Sequence, residues 1–595
     1  MKQFFITMLG VFAGLVAFFV ILPIVAVLFI VAAASSAKPT TPSHTVLELD
    51  LRQGLTDQPM INPFASFGSS GLSVVQVVDS LAQAEKDSSV KVLLIRASEG
   101  GMTPAAADEI RQAIKRFRAS GKKVIAHSQG FMPSGSVMSS YMVASSADEL
   151  WMQDTASFQA TGMSSEMLFL GRAFQKYGVK PEFEQRYEYK NAVNEMTQSD
   201  FTPAHREAQL AWMGSIYDNA VAHIAADRKA EPLAIKTAIE AGPYSAQQAL
   251  SLKLVDKIGE VEEAEKAAKT IAGKDAKIVT MHEYAGLKGE RAGSGKSSIA
   301  IVHAEGGIMT GRGGEESLFG GGNSIRSDDT AKAIYEAIED KSVKAIVFRV
   351  SSPGGSPEAS EQILTAVRAA RAAGKPVVVS MGAYAASGGY WVSSEADWIV
   401  AQPSTLTGSI GVYGGKLVLG EALGRFGLDM RSLTVGGEYS DAFAAGQGFN
   451  QADRAAFSAS MDRIYDGFIE RVARGRKLPQ ERVREIAKGR VWTGAQAKEI
   501  GLVDQLGGLE EAIAKARQLA KIPSTESVRF KRYPKPQTPW EALASAFGAS
   551  SEAAEAMVSV GRVMGDPAAQ AMLQRVETER LRSRGASVLA DQPTF

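Results

Sequence analysis

The sequence predicts an α/β protein: two tandem copies of one domain, each a mostly parallel sheet with flanking helices, behind an N-terminal transmembrane helix. Three observations predict it. Short apolar runs alternate with helical patterns, the alternation occurs twice in the same order, and both rounds carry matching motifs. Lys91-Val-Leu-Leu-Ile-Arg96 answers Lys344-Ala-Ile-Val-Phe-Arg349, Ile216-Tyr-Asp218 answers Ile464-Tyr-Asp466, and Leu254-Val-Asp256 answers Leu502-Val-Asp504. A domain-sized period means tandem duplication and not a solenoid.

The elements follow in order. From Phe4 to about Ala34 the chain is almost wholly apolar, with Lys2 as the only charge ahead of it. About 20 residues cross ~30 Å of hydrocarbon, and a cleavable signal peptide has an apolar core of only about 7–15. Residues 1–37 therefore read as an uncleaved anchor, and Lys2 favours a cytoplasmic N-terminus with the rest outside. Lys38-Pro-Thr-Thr-Pro-Ser43 is a polar linker. The first copy, 44–287, shows strands at Val46–Leu51, Val90–Ile95 and Lys123–Ala126, with a helix over Ala105–Ala119. The second, 297–530, repeats the order: strand Ser298–His303, helix Thr330–Ile338, strand Val343–Val350, helix Glu358–Ala373, strand Pro376–Ser380. Such alternation builds a parallel sheet covered by helices. Each copy then carries a long helix, His205–Ala225 and Ala452–Arg474, and 531–595 reads as a Pro-containing linker and helical tail.

Composition removes several function classes. Lys+Arg and Asp+Glu both number 65, so no net field draws nucleic acid. The absence of cysteine excludes disulfides, thiolate metal sites and a cysteine nucleophile. None of the six histidines lies near Ser387, and they are too few and scattered for a metal cluster. No metal and no cofactor are expected.

What the two copies have lost is more informative than what they share. Ser387 sits in Gly382-Ala-Tyr-Ala-Ala-Ser-Gly-Gly-Tyr390; pairing Tyr141 with Tyr390 puts Met138 at its place in the first copy. Lys190 sits in Glu188-Tyr-Lys-Asn-Ala192, and Glu438-Tyr-Ser-Asp-Ala442 puts Ser440 at its place in the second. A hydroxyl survives in one copy and an amine in the other, as expected of one Ser/Lys pair shared between them. A serine hydroxyl is a weak nucleophile until a base takes its proton. The G-x-S-x-G elbow is absent, because Ala385 precedes Ser387 by two. A lysine can be the base if burial brings its pKa from about 10.4 toward 7–8. Glu188 and Glu195 lie close to Lys190 in sequence, so its desolvation must come from the other copy or from substrate.

Acyl transfer also needs donors for the oxyanion. Ser351-Ser-Pro-Gly-Gly-Ser356 follows a strand, and the first copy keeps a cruder Ser98-Glu-Gly-Gly101. The amides of Gly355 and Gly388 are the candidate pair, and Ser409, in Thr407-Gly-Ser-Ile-Gly411, is the candidate to orient the lysine amine. The plain readings are a surface Lys190 and a Ser387 that merely permits close packing. Two other classes stay open at this point: a crotonase-like acyl-thioester enzyme and a catalytically dead membrane scaffold.

S-P-G-G before a helix, A-S-G-G-Y around Ser387, T-G-S-I-G at 407–411 and Y-K-N-A-V at 189–193 together closely resemble the signal peptide peptidase A family in its long, tandem-domain form. The resemblance covers the chain from the anchor to about residue 530. It implies a ClpP/crotonase-like fold and a serine endopeptidase with Ser387 as nucleophile and Lys190 as base. Its implied substrates are remnant signal peptides left after secretion. It also implies a homotetramer, anchored in lipid by one N-terminal helix in the bacterial inner membrane, with its catalytic part in the periplasm.

Overall fold

Valine, isoleucine and leucine fill whole strands, such as Val92-Leu-Leu-Ile95, instead of alternating with polar residues, and these side chains are fully buried. That pattern belongs to parallel strands covered on both faces. The computed structural model describes residues 41–59, 71–289, 291, 293–313 and 324–534. The anchor expected at 1–37 and the tail from 535 onward lie outside them. Among the described residues no helix is long and apolar enough to cross a membrane.

The first copy runs β1 Thr45–Asp50, α1 Val74–Lys86, β2 Val90–Arg96, α2 Pro104–Ala119, β3 Lys123–Ser128, α3 Val137–Ser145, β4 Glu149–Met152, β5 Lys180–Arg186, α4 Pro203–Arg228, β6 Lys257–Ile258 and β7 Lys277–Thr280, with shorter elements between. Its sheet has the order β6-β4-β3-β2-β1-β7, all parallel. The second copy runs β8 Ser298–Glu305, α5 Ser327–Glu339, β9 Val343–Ser352, α6 Pro357–Ala372, β10 Val377–Ala386, α7 Gly388–Ser393, β11 Trp398–Ala401, β12 Leu406–Gly408, β13 Val412–Val418, α8 Gln451–Arg476, β14 Val491–Thr493, β15 Gln505–Leu506 and β16 Arg529–Tyr533. Its parallel strands follow the same path, β15-β11-β10-β9-β8-β16. On the far end of β10 it adds β12, which pairs antiparallel with β14.

Local chemistry sets these boundaries twice over. Pro104 and Pro357 each open a helix, where a missing N–H costs nothing. The long helices α4 and α8 both stop at a left-handed lysine, Lys229 and Lys477. Tyr141 donates to the Leu254 carbonyl and Tyr390 to that of Leu502, each at 2.8 Å. Arg228 pairs with Asp256 as Arg476 pairs with Asp504. These equivalences fix the alignment of the copies and put Met138 at the place of Ser387.

Three features depart from the sequence reading. The second sheet continues to Tyr533, whose hydroxyl donates to Asp340 at 3.0 Å, so a boundary at 530 cuts through β16. α1 was not anticipated, although Ser73 and Gln76 form its capping box. The third departure builds the site: β5 leaves the first copy and pairs antiparallel with β13 of the second, Arg186 opposite Val412 through Lys180 opposite Val418. A buried ion cluster reinforces the junction, with Arg349 of β9 between Asp57 and Glu109 of the first copy at 2.5 and 2.8 Å.

Candidate active site

Between the last residue of β10 and the first of α7 stands Ser387 alone, at φ 52°. A left-handed backbone costs a serine on the order of 1–3 kcal/mol, so the surroundings must hold it. Its amide donates to the Gly408 carbonyl at 2.9 Å, and its carbonyl accepts from Trp391 at 2.8 Å. Its hydroxyl does not cap the helix that follows. The residue is 3% exposed.

Two glycines close the floor around it. Gly355 has φ 154°, and a Cβ there would lie 2.0 Å from the Ile308 carbonyl oxygen, so only glycine fits. A Cβ on Gly388 would lie 3.0 Å from the Gly355 amide nitrogen. The two amides read from sequence as oxyanion donors are therefore neighbours. The Gly388 amide, in the first turn of α7, has no intrahelical acceptor.

Lys190 follows β5 and is brought to the second copy by the β5–β13 pair. The Tyr189 amide donates to the Lys488 carbonyl at 3.2 Å. Gly489 packs so closely that a Cβ on it would lie 2.6 Å from the Lys190 backbone nitrogen. The result is a fully buried lysine, 0% exposed. Its amine donates to the Ser409 hydroxyl at 2.8 Å and to the Ser409 carbonyl at 3.2 Å. Ser409 is itself buried and left-handed, at φ 47°. The desolvation that the sequence demanded comes from the second copy, while Glu188 faces an exposed Lys488 at 3.4 Å.

Sequence reasoning missed the loop 488–490. The Ser409 amide donates to the Arg490 carbonyl at 2.7 Å, and the Gly489 amide donates to that of Ile410 at 2.9 Å. Glycine at 489 was visible in the sequence, but what it makes room for was not.

The first copy keeps the frame without the groups. Met138 is buried inside α3, and Met102 stands where Gly355 does. A cavity of about 510 Å³ persists there, lined among others by Arg52, Gly101, Ser134 and Ser136. The Ser136 and Ser140 hydroxyls donate to the Met102 and Gly100 carbonyls at 2.8 and 2.6 Å.

The family model described as Peptidase family S49 matches this chain twice, over residues 116–275 and 369–523. The chain belongs to peptidase family S49. Each match falls within one copy, so the duplicated unit is the family's own domain. The S49 chain is 33% identical over 531 residues to "Protease 4" of Salmonella typhi, covering 85% of this chain and 83% of that protein. It is 32% identical to "Protease 4" of Haemophilus influenzae, covering 75% and 73%. It is 29% identical to "Serine protease SPPA, chloroplastic" of Arabidopsis thaliana, covering 85% and 74%. It is a serine protease of the S49 family, which displaces the acyl-thioester and dead-scaffold readings.

Proposed function

We propose that this S49 protease cleaves peptides with Ser387 as nucleophile and Lys190 as general base, one from each copy. One observation carries the reading. The buried Lys190 amine of the first copy donates at 2.8 Å to Ser409 of the second, and the residue before it, Gly408, receives the Ser387 amide.

The chemistry runs in two halves. A neutral Lys190 takes the Ser387 proton as Oγ bonds to the scissile carbonyl carbon, and the Gly355 and Gly388 amides donate to the oxyanion. Ser409 positions the amine. The C–N bond then breaks and the Lys190 ammonium returns its proton to the leaving nitrogen. Water gives a proton to the same amine and attacks the acyl ester; the bond to Ser387 Oγ then breaks and the Lys190 ammonium returns the proton to that oxygen. Burial disfavours a charged amine, which is what a lysine base needs.

The proposed substrates are remnant signal peptides, in agreement with the motif resemblance. The anchor at 1–37, a bacterial inner-membrane location with the catalytic part in the periplasm, a ClpP/crotonase-like fold class and a homotetramer belong to the same reading. The apolar run at Phe4–Ala34 supports the anchor.

A serine-directed acylating reagent applied to the full chain in detergent tests the assignment. Peptide mass mapping should find Ser387 modified and no serine of the first copy. Stoichiometric modification elsewhere, with Ser387 untouched, overturns it.

A further inference from the structure

Loop 488–490 reaches the base through a side chain as well as through its backbone. The Arg490 guanidinium makes a two-pronged ion pair with Glu207, in α4 of the first copy, at 2.6 and 2.8 Å. Its central carbon lies 4.9 Å from the middle of the Tyr189 ring and 4.5 Å from that of Trp492. Tyr189 precedes Lys190, and its hydroxyl donates to the same Glu207 carboxylate. Trp492 stands opposite Thr407 in the β12–β14 pair, beside the Gly408 whose carbonyl holds the Ser387 amide. One cation thus touches the residue before the base and the strand that pins the nucleophile.

Duplication supplies a control for this cluster too. α4 and α8 both run for 26 residues and stop at Lys229 and Lys477, which puts Ala455 at the place of Glu207. The capping boxes Ser245–Gln248 and Thr493–Gln496 align in the same way. They put Gly242 at the place of Arg490 and Tyr244 at that of Trp492, while Tyr439 answers Tyr189. The reciprocal set keeps both rings and lacks both charges, as it lacks the serine and the lysine. An ion pair with an exposed member adds little to stability, and the Glu207 side chain is 51% exposed. These charges go with the chemistry and not with the frame.

The geometry points to Arg490 as a positioning residue for the general base, an inference that rests on the Ser387/Lys190 reading above. Clasped by Glu207 and the two rings, the loop keeps the Arg490 carbonyl on the Ser409 amide at 2.7 Å. That bond holds Ser409 at φ 47°, where its hydroxyl meets the Lys190 amine at 2.8 Å. The same loop lays Gly489 against the Lys190 backbone and helps to bury the side chain completely. Without the clasp the turn relaxes, the amine loses its fixed aim and water reaches it. Proximity is lost, and a hydrated amine holds its proton more tightly.

Arg490→Met in the full chain in detergent tests this, with turnover of a fluorogenic apolar peptide followed from roughly pH 5 to 10. Its kcat should fall by about 10²-fold while KM changes by less than about 2-fold. The acidic limb of the kcat profile should move up by about one pH unit. A merely structural role lowers the active fraction alike at every pH and leaves that limb in place. The charged side chains around Lys190 are Glu188 and Glu195 on its own stretch, Lys488 and Arg490 on the loop, and Glu207 on α4; the turn 407–411 carries none. An Arg490→Met/Glu207→Gln protein removes the last two together, leaves no stray carboxylate, and should show the same fall and the same shift. An unmoved limb in that double variant overturns the inference, because any shift in the single variant then belongs to the unpaired Glu207. Recovery of the parent kcat in the double variant overturns it as well. Lys190→Ala separates the two levels. Parent-rate cleavage by Lys190→Ala protein would remove the base itself, whereas an inactive Lys190→Ala beside an Arg490→Met with the parent's limb would remove only the positioning role.

Discussion

In the second copy the chain leaves β10 through a left-handed Ser387 and enters α7 at the next residue. In the first, α3 starts one residue before the equivalent point and draws Met138 into its buried face. The frame around both points is the same, down to the tyrosine hydroxyl that pins each helix. What differs is whether the turn holds a strained, buried serine at positive φ or a relaxed thioether inside the helix. The fold tolerates either, so the site and the scaffold are separable. The scaffold answers to sheet burial, and the site answers to a few backbone positions that glycine and a left-handed serine make available.

The sharpest test of that separation lies in the lysine position. Lys190→Ala should lower peptide cleavage by about 10⁴-fold or more, the scale on which removing a member of a catalytic pair acts. Ser440→Ala, at the equivalent place in the other copy, should leave the rate unchanged. Lys190→Arg should not rescue, because a guanidinium stays protonated. Turnover of an apolar peptide under saturating conditions measures all three. A Lys190→Ala protein that cleaves at the parent rate would leave the shared pair without a base.

The second test moves from chemistry to the junction. Arg349 is buried against Asp57 and Glu109, whereas its counterpart Arg96 donates to Gln129 at 3.3 Å. Arg349→Met strands two buried carboxylates and should cost about 3–5 kcal/mol. Arg96→Met should cost about 0.5–1.5 kcal/mol, the worth of one ordinary hydrogen bond. Urea denaturation compares them, and equal midpoints would mean that the junction is not held by this cluster. The third test is Gly355→Ala, whose Cβ would meet the Ile308 carbonyl and turn the amide away. It should lower kcat by about 10²–10³-fold. Met102→Ala, at the same place in the first copy, should not change the rate.

These positions also show what a sequence exposes and what it hides. The parallel sheets were legible because each strand is a local apolar run. Ser387 and Lys190 stood out as candidates because duplication supplied an internal control for each. The strand pair that brings them together was not. Lys180-Pro-Glu-Phe-Glu-Gln-Arg186 carries a proline and four charges, and Val412–Val418 carries two glycines, so neither has a strand's apolar signature. Their pairing is set by a partner more than two hundred residues away. The Gly489 contact is hidden for the same reason: crowding against Lys190 is a property of two distant loops, and nothing in either segment announces it.

The smallest effect compares two carboxylates at one position of equivalent helices, Asp108 in α2 and Glu361 in α6. Burial pushes Asp108 up to about 6, despite hydrogen bonds from the Ser404 amide and Asn219. Burial acts upward on Glu361 too, but hydrogen bonds from Arg471, Arg368 and Trp391 bring it down to about 2. The signs are opposite. Folded Asp108 holds its proton more tightly than the unfolded chain, so its contribution is complete below pH ~3.8 and is lost as pH rises through about 6. Glu361 contributes fully above pH ~4.5 and loses that contribution as pH falls through about 2. Each slope is bounded at about 1.4 kcal/mol per pH unit, one proton's worth. Melting temperatures of Asp108→Asn and Glu361→Gln proteins, each subtracted from the parent across pH 3 to 7.5, isolate the two. The Asp108→Asn difference should vary between pH ~4 and ~6 and level off outside. The Glu361→Gln difference should be flat there and shrink only below pH ~4.5. If both differences bend in the same window, the neighbouring arginines do not separate these positions, and the copies are electrostatically alike where their geometry says they are not.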